Sequence, residues 1–152
     1  IRIGTAGTCR DDNDNQVYDG TIVTGAVRDE GTTVQYIPIE YPAIADRHVV
    51  DALSRAAKAR GKNYLEGISQ SKDSFFGEID PDSCPNGDLL KMRWKAWQKG
   101  NVVCSEMECA AIFVISSIRH ARASAIMNWG KMEDTIQIAC DAVKLLIEQD
   151  KD

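Results

Sequence analysis

Ser105-Glu106-Met107-Glu108 sets two carboxylates and a thioether at the junction of an apolar strand-like run, residues 102–104, and a nearly all-apolar helical run, residues 107–118. A helix that is apolar on every side has to lie inside the molecule, against a sheet or other helices. The acids at its start therefore sit close to the core, where an unpaired carboxylate is costly. Two partners can satisfy them. One is the amino end of the helix itself, whose dipole favours acids in the first turn. The other is a ligand: a carboxylate accepts hydrogen bonds from adjacent hydroxyls, and a flexible Met side chain packs against a small organic ring. A sugar meets both demands, and the spacing alone leaves the two readings open.

The rest of the chain alternates short β-rich runs with helical patterns. Residues 1–4 read as the end of an apolar strand and Thr5-Ala6-Gly7-Thr8 as the turn that follows. Residues 21–27 and 32–39 read as two extended runs separated by the charged turn Arg28-Asp29-Glu30-Gly31. Asp46 is placed to cap a helix over residues 47–60, with Val49, Leu53, Ala56 and Ala57 on one face and Gly61 as its stop. A strand over residues 64–69 precedes a polar loop with two aromatics, residues 71–77. Loops after strands are where open α/β sheets bind ligands. A helix over residues 89–98 carries Trp94 and Trp97, expected as packing groups. A strand over residues 123–127 leads to a last helix whose apolar stripe is Met132, Ile136, Ala139, Val143 and Leu146. This rhythm predicts an α/β fold with a largely parallel or mixed sheet, in one domain over residues 1–152.

Composition narrows the function classes. With a formal net charge of −5 and scattered basic residues, nothing steers a nucleic acid to a long surface. No apolar run is long enough to span a membrane, and the first residues resemble neither a signal nor a transit peptide. Five cysteines form no C-x-x-C pair, and with only two histidines a zinc site has no support. Free thiols and a cytoplasmic location are expected. The acidic run at residues 11–15 lacks the glycine and the glutamate of a calcium loop and reads as a solvated loop.

Arg2, Gly4, Thr5 and Gly7 together offer a guanidinium, a hydroxyl and a backbone open to an anion such as phosphate. There is no dinucleotide fingerprint, Walker pattern or nucleophile elbow. Five blocks then carry a family resemblance: Ile1-Arg2-Ile3-Gly4-Thr5-Ala6-Gly7, Gly25-Ala26-Val27-Arg28-Asp29-Glu30-Gly31-Thr32-Thr33, Glu40-Tyr41-Pro42-Ala43-Ile44-Ala45-Asp46, Lys72-Asp73-Ser74-Phe75-Phe76-Gly77 and Glu106-Met107-Glu108. In this order they resemble the nucleoside phosphorylase-I family, and within it the uridine phosphorylases, over nearly the whole chain.

The resemblance implies a three-layer α/β/α fold with a central mixed sheet and reversible phosphorolysis of a nucleoside. Inorganic phosphate is the co-substrate, and no cofactor or metal is required. It implies Arg2 and Thr5 as phosphate ligands, Thr5, Met107 and Glu108 at the ribose, and Ala6, Gly7 and Phe75 around the base. Arg2 and Glu108 carry the catalytic roles, and Glu106 is left to a structural one. It further implies a homodimer or hexamer with shared active sites. The family's N-terminal part, before Ile1, and a loop near Asn128 are expected as segments outside this chain.

Where many uridine phosphorylases place a glutamine and an arginine for uracil, this chain has Glu78-Ile79-Asp80-Pro81-Asp82. Base preference therefore stays open between uridine and a purine nucleoside. A nucleosidase of the same fold has no need of Arg2, and a non-catalytic homologue is the reading from a different class.

Overall fold

A computed structural model describes residues 1–10 and 16–151, so the expected loop at residues 11–15 lies outside the described residues. Along the chain run β1 (Arg2–Thr5), β2 (Gly7–Thr8), β3 (Gly20–Asp29), β4 (Ala43–Ile44), α1 (Arg47–Ala59), β5 (Tyr64–Lys72), α2 (Phe76–Ile79), α3 (Gly87–Lys99), β6 (Val102–Glu106), α4 (Cys109–Ile118), β7 (Ala125–Asn128) and α5 (Met132–Gln149). The strands form one sheet in the order β1-β7-β3-β5-β6-β2, with β4 also paired to β3. The pairs β1/β7, β3/β5 and β5/β6 are parallel; β3/β7, β3/β4 and β2/β6 are antiparallel. The expected mixed sheet is present.

Side chains alternate across a strand, and that alternation builds the layers. Ile22 and Ile126 pack with Val49, Leu53 and Ala56 of α1 and with Ile138 and Ala142 of α5. Their neighbours Val23, Ala125 and Met127 face the other way, into a core with Cys109, Ala110, Phe113 and Val114 of α4. Helices thus cover both faces of the sheet. The apolar character of α4 follows, since its inner residues are wholly buried.

Helix α1 matches its sequence signals. Asp46 Oδ1 accepts the backbone N–H groups of His48 and Val49 at 2.9 and 3.1 Å, and Gly61 adopts φ +66° just beyond the helix end, where only glycine is free of steric cost. In α5 the buried stripe is rotated from the expected one: Thr135, Ile138, Ala139 and Ala142 face inward, while Ile136 and Val143 are exposed. The polar Thr135 hides its character, because its hydroxyl bonds the Tyr64 hydroxyl at 2.7 Å and donates to Asn128 Oδ1 at 3.1 Å.

Two further expectations are corrected. Residues 32–39 are not extended; a 3-10 turn, Thr33–Gln35, begins an irregular segment. The Arg28 guanidinium gathers that segment by donating to the carbonyls of Ile37, Pro38, Ile39 and Tyr41 at 2.5 to 3.0 Å. Glu30 accepts the N–H groups of Thr32 and Thr33 at 2.7 and 2.9 Å. Once charged side chains satisfy the backbone, a ladder is not needed and the β-branched residues lose their strand preference. The expected turn at residues 5–8 is instead interrupted by β2, which pairs Gly7 with Ser105 and Thr8 with Cys104.

Replacing Phe113 with Ala is expected to cost about 3–5 kcal/mol in urea unfolding, because the ring fills the α4 core. A pH effect arises where α1 meets α5. Lys144, and after it Arg60, holds Asp141 below the usual aspartate value of 3.8, and Lys62 does the same for Asp134. A carboxyl depressed in the fold stabilises it above the unfolded value, and that contribution disappears as pH falls through the lower folded one. D134N and D141N should therefore be slightly less stable than wild type at neutrality, with the difference shrinking as pH falls below 3.8, as stability measured across an acid titration checks.

Candidate active site

The site begins at the carboxyl end of β6, where Glu106 is only 3% exposed. Its Oε1 accepts the hydroxyls of Ser69 and Ser71 at 3.0 and 2.5 Å. Its Oε2 accepts the backbone N–H groups of Glu108 and Cys109, each at 2.7 Å. Ser71 Oγ also accepts the Ala110 N–H at 2.8 Å. The buried charge is satisfied entirely by protein, so Glu106 has the structural role the sequence left to it. It also explains why α4 starts at Cys109 rather than at Met107, two residues earlier. The strand-end carboxylate takes the first orphan amides of the helix.

That capping turns Met107 and Glu108 outward, and Glu108 is 51% exposed at its side chain. Arg2 reaches it from the sheet edge, although 106 residues separate them in sequence. The guanidinium lies along β1 over Gly4. A Cβ on Gly4 would stand 2.3 Å from Arg2 Nη1, so the absence of a side chain there leaves the path for the arginine. Nη1 donates to Met127 Sδ at 2.8 Å, and Nη2 pairs with the Glu108 carboxylate. Met107 is partly exposed beside this pair, and its N–H donates to Glu108 Oε2 at 3.3 Å.

Thr5 is exposed at the end of β1, opposite Asn128. The Ala6 carbonyl accepts the Trp129 indole N–H at 3.0 Å. Phe75 is half-exposed and stacks edge-on against Phe76, ring centres 5.8 Å apart. Gly7 meets the aromatic loop through Glu78: a Cβ on Gly7 would lie 3.3 Å from Glu78 Oε1. The residues expected around the base thus share one region, with Glu78 inserted between them.

Sequence reasoning missed what surrounds Glu78. Its Oε2 lies 2.6 Å from Lys72 Nζ and accepts the Ser105 hydroxyl at 2.5 Å. Gln70 joins Ser105 Oγ at 3.1 Å and donates to Asp29 at 2.7 Å. The signal was present in Ser69-Gln70-Ser71-Lys72, four consecutive polar residues that all become buried at the end of β5. Lys72 and Glu78 open on a cavity of about 360 Å³ walled by Leu90, Trp94 and Trp97 of α3. The tryptophans, expected as packing groups, are half-buried and line this space.

Three of the five cysteines are buried near the site. Burial, reinforced by Glu106, pushes Cys104 and Cys109 far above their ordinary value, and burial beside Glu78 pushes Cys9 up to about 12. None forms a thiolate near neutrality. Among the described residues no cluster of His, Cys, Asp and Glu could hold a metal ion, and no helix is long and apolar enough to cross a membrane.

Comparison with known proteins fits this geometry. Residues 1–134 match the model of a family described as the phosphorylase superfamily. A uridine phosphorylase of Treponema pallidum is 38% identical over 99% of this chain and 64% of its own length. A uridine phosphorylase of Thermococcus kodakarensis is 32% identical over 100% of this chain and 59% of its own length. A guanosine phosphorylase of Halorubrum lacusprofundi is 31% identical over 83% of this chain and 47% of its own length. The chain therefore spans less than two thirds of each of these relatives.

Replacing Glu106 with Ala is expected to destabilise the protein by about 2–4 kcal/mol, since it strands two buried hydroxyls and two amides. Replacement with Gln should cost less, because an amide oxygen can keep the two N–H groups while its NH₂ faces hydroxyls able to accept. Urea unfolding of both variants checks this order.

Proposed function

Because the chain belongs to the phosphorylase superfamily, we propose that it forms the ribose and base side of a nucleoside phosphorylase site. In this reading the whole protein reversibly converts uridine and phosphate to uracil and ribose 1-phosphate. The observation that carries the proposal is the meeting of Arg2 and Glu108 over the amino end of α4. One group is suited to phosphate and the other to sugar hydroxyls, and between them lies the place where the two substrates must touch.

A phosphate oxygen forms the new bond to the anomeric carbon as the bond from that carbon to the base nitrogen breaks. The bonding pair leaves with the base, which takes up a proton. Arg2 and the Thr5 hydroxyl hold the phosphate in line. The Glu108 carboxylate fixes the ribose hydroxyls and stabilises positive charge developing on the sugar, while Met107 packs against the ring. Gly7 and Ala6 let the base approach the backbone, and Phe75 forms a wall of its pocket. Phosphate serves as co-substrate without a cofactor. A homodimer or hexamer with shared sites, working in the cytoplasm, completes the reading.

Substrate and ligands must open the Arg2–Glu108 pair. The pair is partly exposed and contributes little to stability, so opening it is inexpensive and its loss by mutation should leave the fold intact. In the whole protein, uracil release from uridine should require phosphate. Release without phosphate would favour a nucleosidase, and no turnover of any nucleoside would sink the proposal. Arg2→Ala and Glu108→Ala should each lower kcat/KM by roughly 10²-fold or more, with unchanged melting temperature. Gly4→Ala should act through Arg2, raising the KM for phosphate by about tenfold, as expected when a charge-assisted contact is displaced.

A further inference from the structure

We propose that Trp129 is a positioning residue of the nucleoside site: its indole N–H holds the Ala6 carbonyl and thereby fixes Thr5 and Gly7, the residues on either side. The inference rests on the proposed function, which puts Thr5 at the phosphate and the ribose and Gly7 at the base. Trp129 acts on the reaction only through the backbone it holds.

Three observations lead here. First, Ala6 is the seam of the sheet. β1 and β2 stand at opposite ends of the strand order, yet a single residue joins them, so the sheet curls until its two edges meet at Ala6. Thr5 is in register with Asn128 of β7 and Gly7 with Ser105 of β6, while Ala6 belongs to neither ladder. A backbone carbonyl at such a junction needs a partner from elsewhere, and the Trp129 indole N–H supplies it at 3.0 Å. The next residue is a glycine, whose backbone is less restricted than that of any other residue, so an unheld peptide between Ala6 and Gly7 can turn.

Second, the indole stands on a rigid base. The backbone N–H groups of Trp129 and Gly130 both donate to the Asp19 carbonyl, at 2.8 and 3.0 Å. Asn128 closes the same turn from within: its Oδ1 accepts the Gly130 N–H and its Nδ2 donates to the Gly130 carbonyl, each at 3.1 Å. The Thr135 hydroxyl then ties Asn128 to α5. A support that is itself held passes its position on to the group it touches.

Third, packing alone does not call for the N–H. Trp129 and Ala6 both lie against the core that contains Val23, Met127 and Phe113, a contact that a phenyl ring would also make. What tryptophan adds is a donor to the carbonyl between the two ladders. Thr5 and Gly7 have to meet the phosphate and the base around a common centre, and a small change in the angle between β1 and β2 moves them relative to each other. Misplacement of that kind slows the chemical step more than it weakens binding, because Arg2 and Glu108 still hold the substrates.

The test compares the whole wild-type protein with Trp129→Phe and with a protein carrying benzothienylalanine at position 129, which keeps the bicyclic ring and puts sulfur in place of the N–H. Amide hydrogen exchange is read at Gly7, whose nitrogen shares a peptide bond with the Ala6 carbonyl. It should be about tenfold faster in both variants, with exchange along β3 unchanged. The kcat for phosphorolysis of uridine should fall roughly tenfold in both, while the KM values for uridine and phosphate stay within about threefold of wild type. A role in packing alone gives a different pattern, loss of rate in Trp129→Phe and recovery with the isosteric ring. That recovery overturns the inference. So does unchanged Gly7 exchange in both variants, or faster exchange with unchanged kcat. If wild type turns over no nucleoside, the proposed function fails, and Gly7 exchange alone decides whether Trp129 holds the seam.

Discussion

The buried carboxylate of Glu106 is the interaction on which the site depends. It ties β5 to β6 through Ser69 and Ser71 and launches α4 by taking the amides of Glu108 and Cys109. A charge so far from water is tolerated because every direction in which it can accept is filled. One side chain thus sets where the strand ends, where the helix begins, and that the two residues between them face outward. Met107 and Glu108 owe their exposure to a neighbour that is itself hidden.

A second constraint comes from β3, which pairs with β5 along one side and is shared between β7 and β4 along the other. Its successive residues feed two different cores, one under α1 and α5 and one under α4. The layers are consequently not independent, and the sheet fixes the distance between α1 and α4. The edge strand β1, which carries Arg2, pairs with β7, and β7 in turn with β3. Placement of the arginine is therefore tied to the same central strand as the cap and stripe of α1.

What the sequence made legible was local chemistry with a fixed geometry. Asp46 before an apolar stripe, Gly61 after it, and acids at the head of an apolar helix all have short-range physical consequences that the fold reproduces. The resemblance of five ordered blocks supplied the family and brought Arg2 and Glu108 together, which no spacing rule could do over 106 positions. The errors have a common cause: polar side chains acting on the backbone or on one another. Arg28 and Glu30 withdrew residues 32–39 from a strand, Thr135 passed as an outward residue while bonded inside, and Ser69 to Lys72 looked like a loop entrance although all four are buried. Hydrophobic periodicity is blind to a buried polar group whose partner lies elsewhere in the chain.

The Arg2–Glu108 ion pair also has a thermodynamic meaning. Each group is the other's partner when the site is empty, so an anion that takes the guanidinium releases the carboxylate, and a polyol that takes the carboxylate releases the guanidinium. Whichever ligand arrives first meets the cost of separating the pair, and the second meets a group already set free. Linkage makes this advantage reciprocal. A contact that adds little to the stability of the fold can in this way couple the occupancy of two halves of one site.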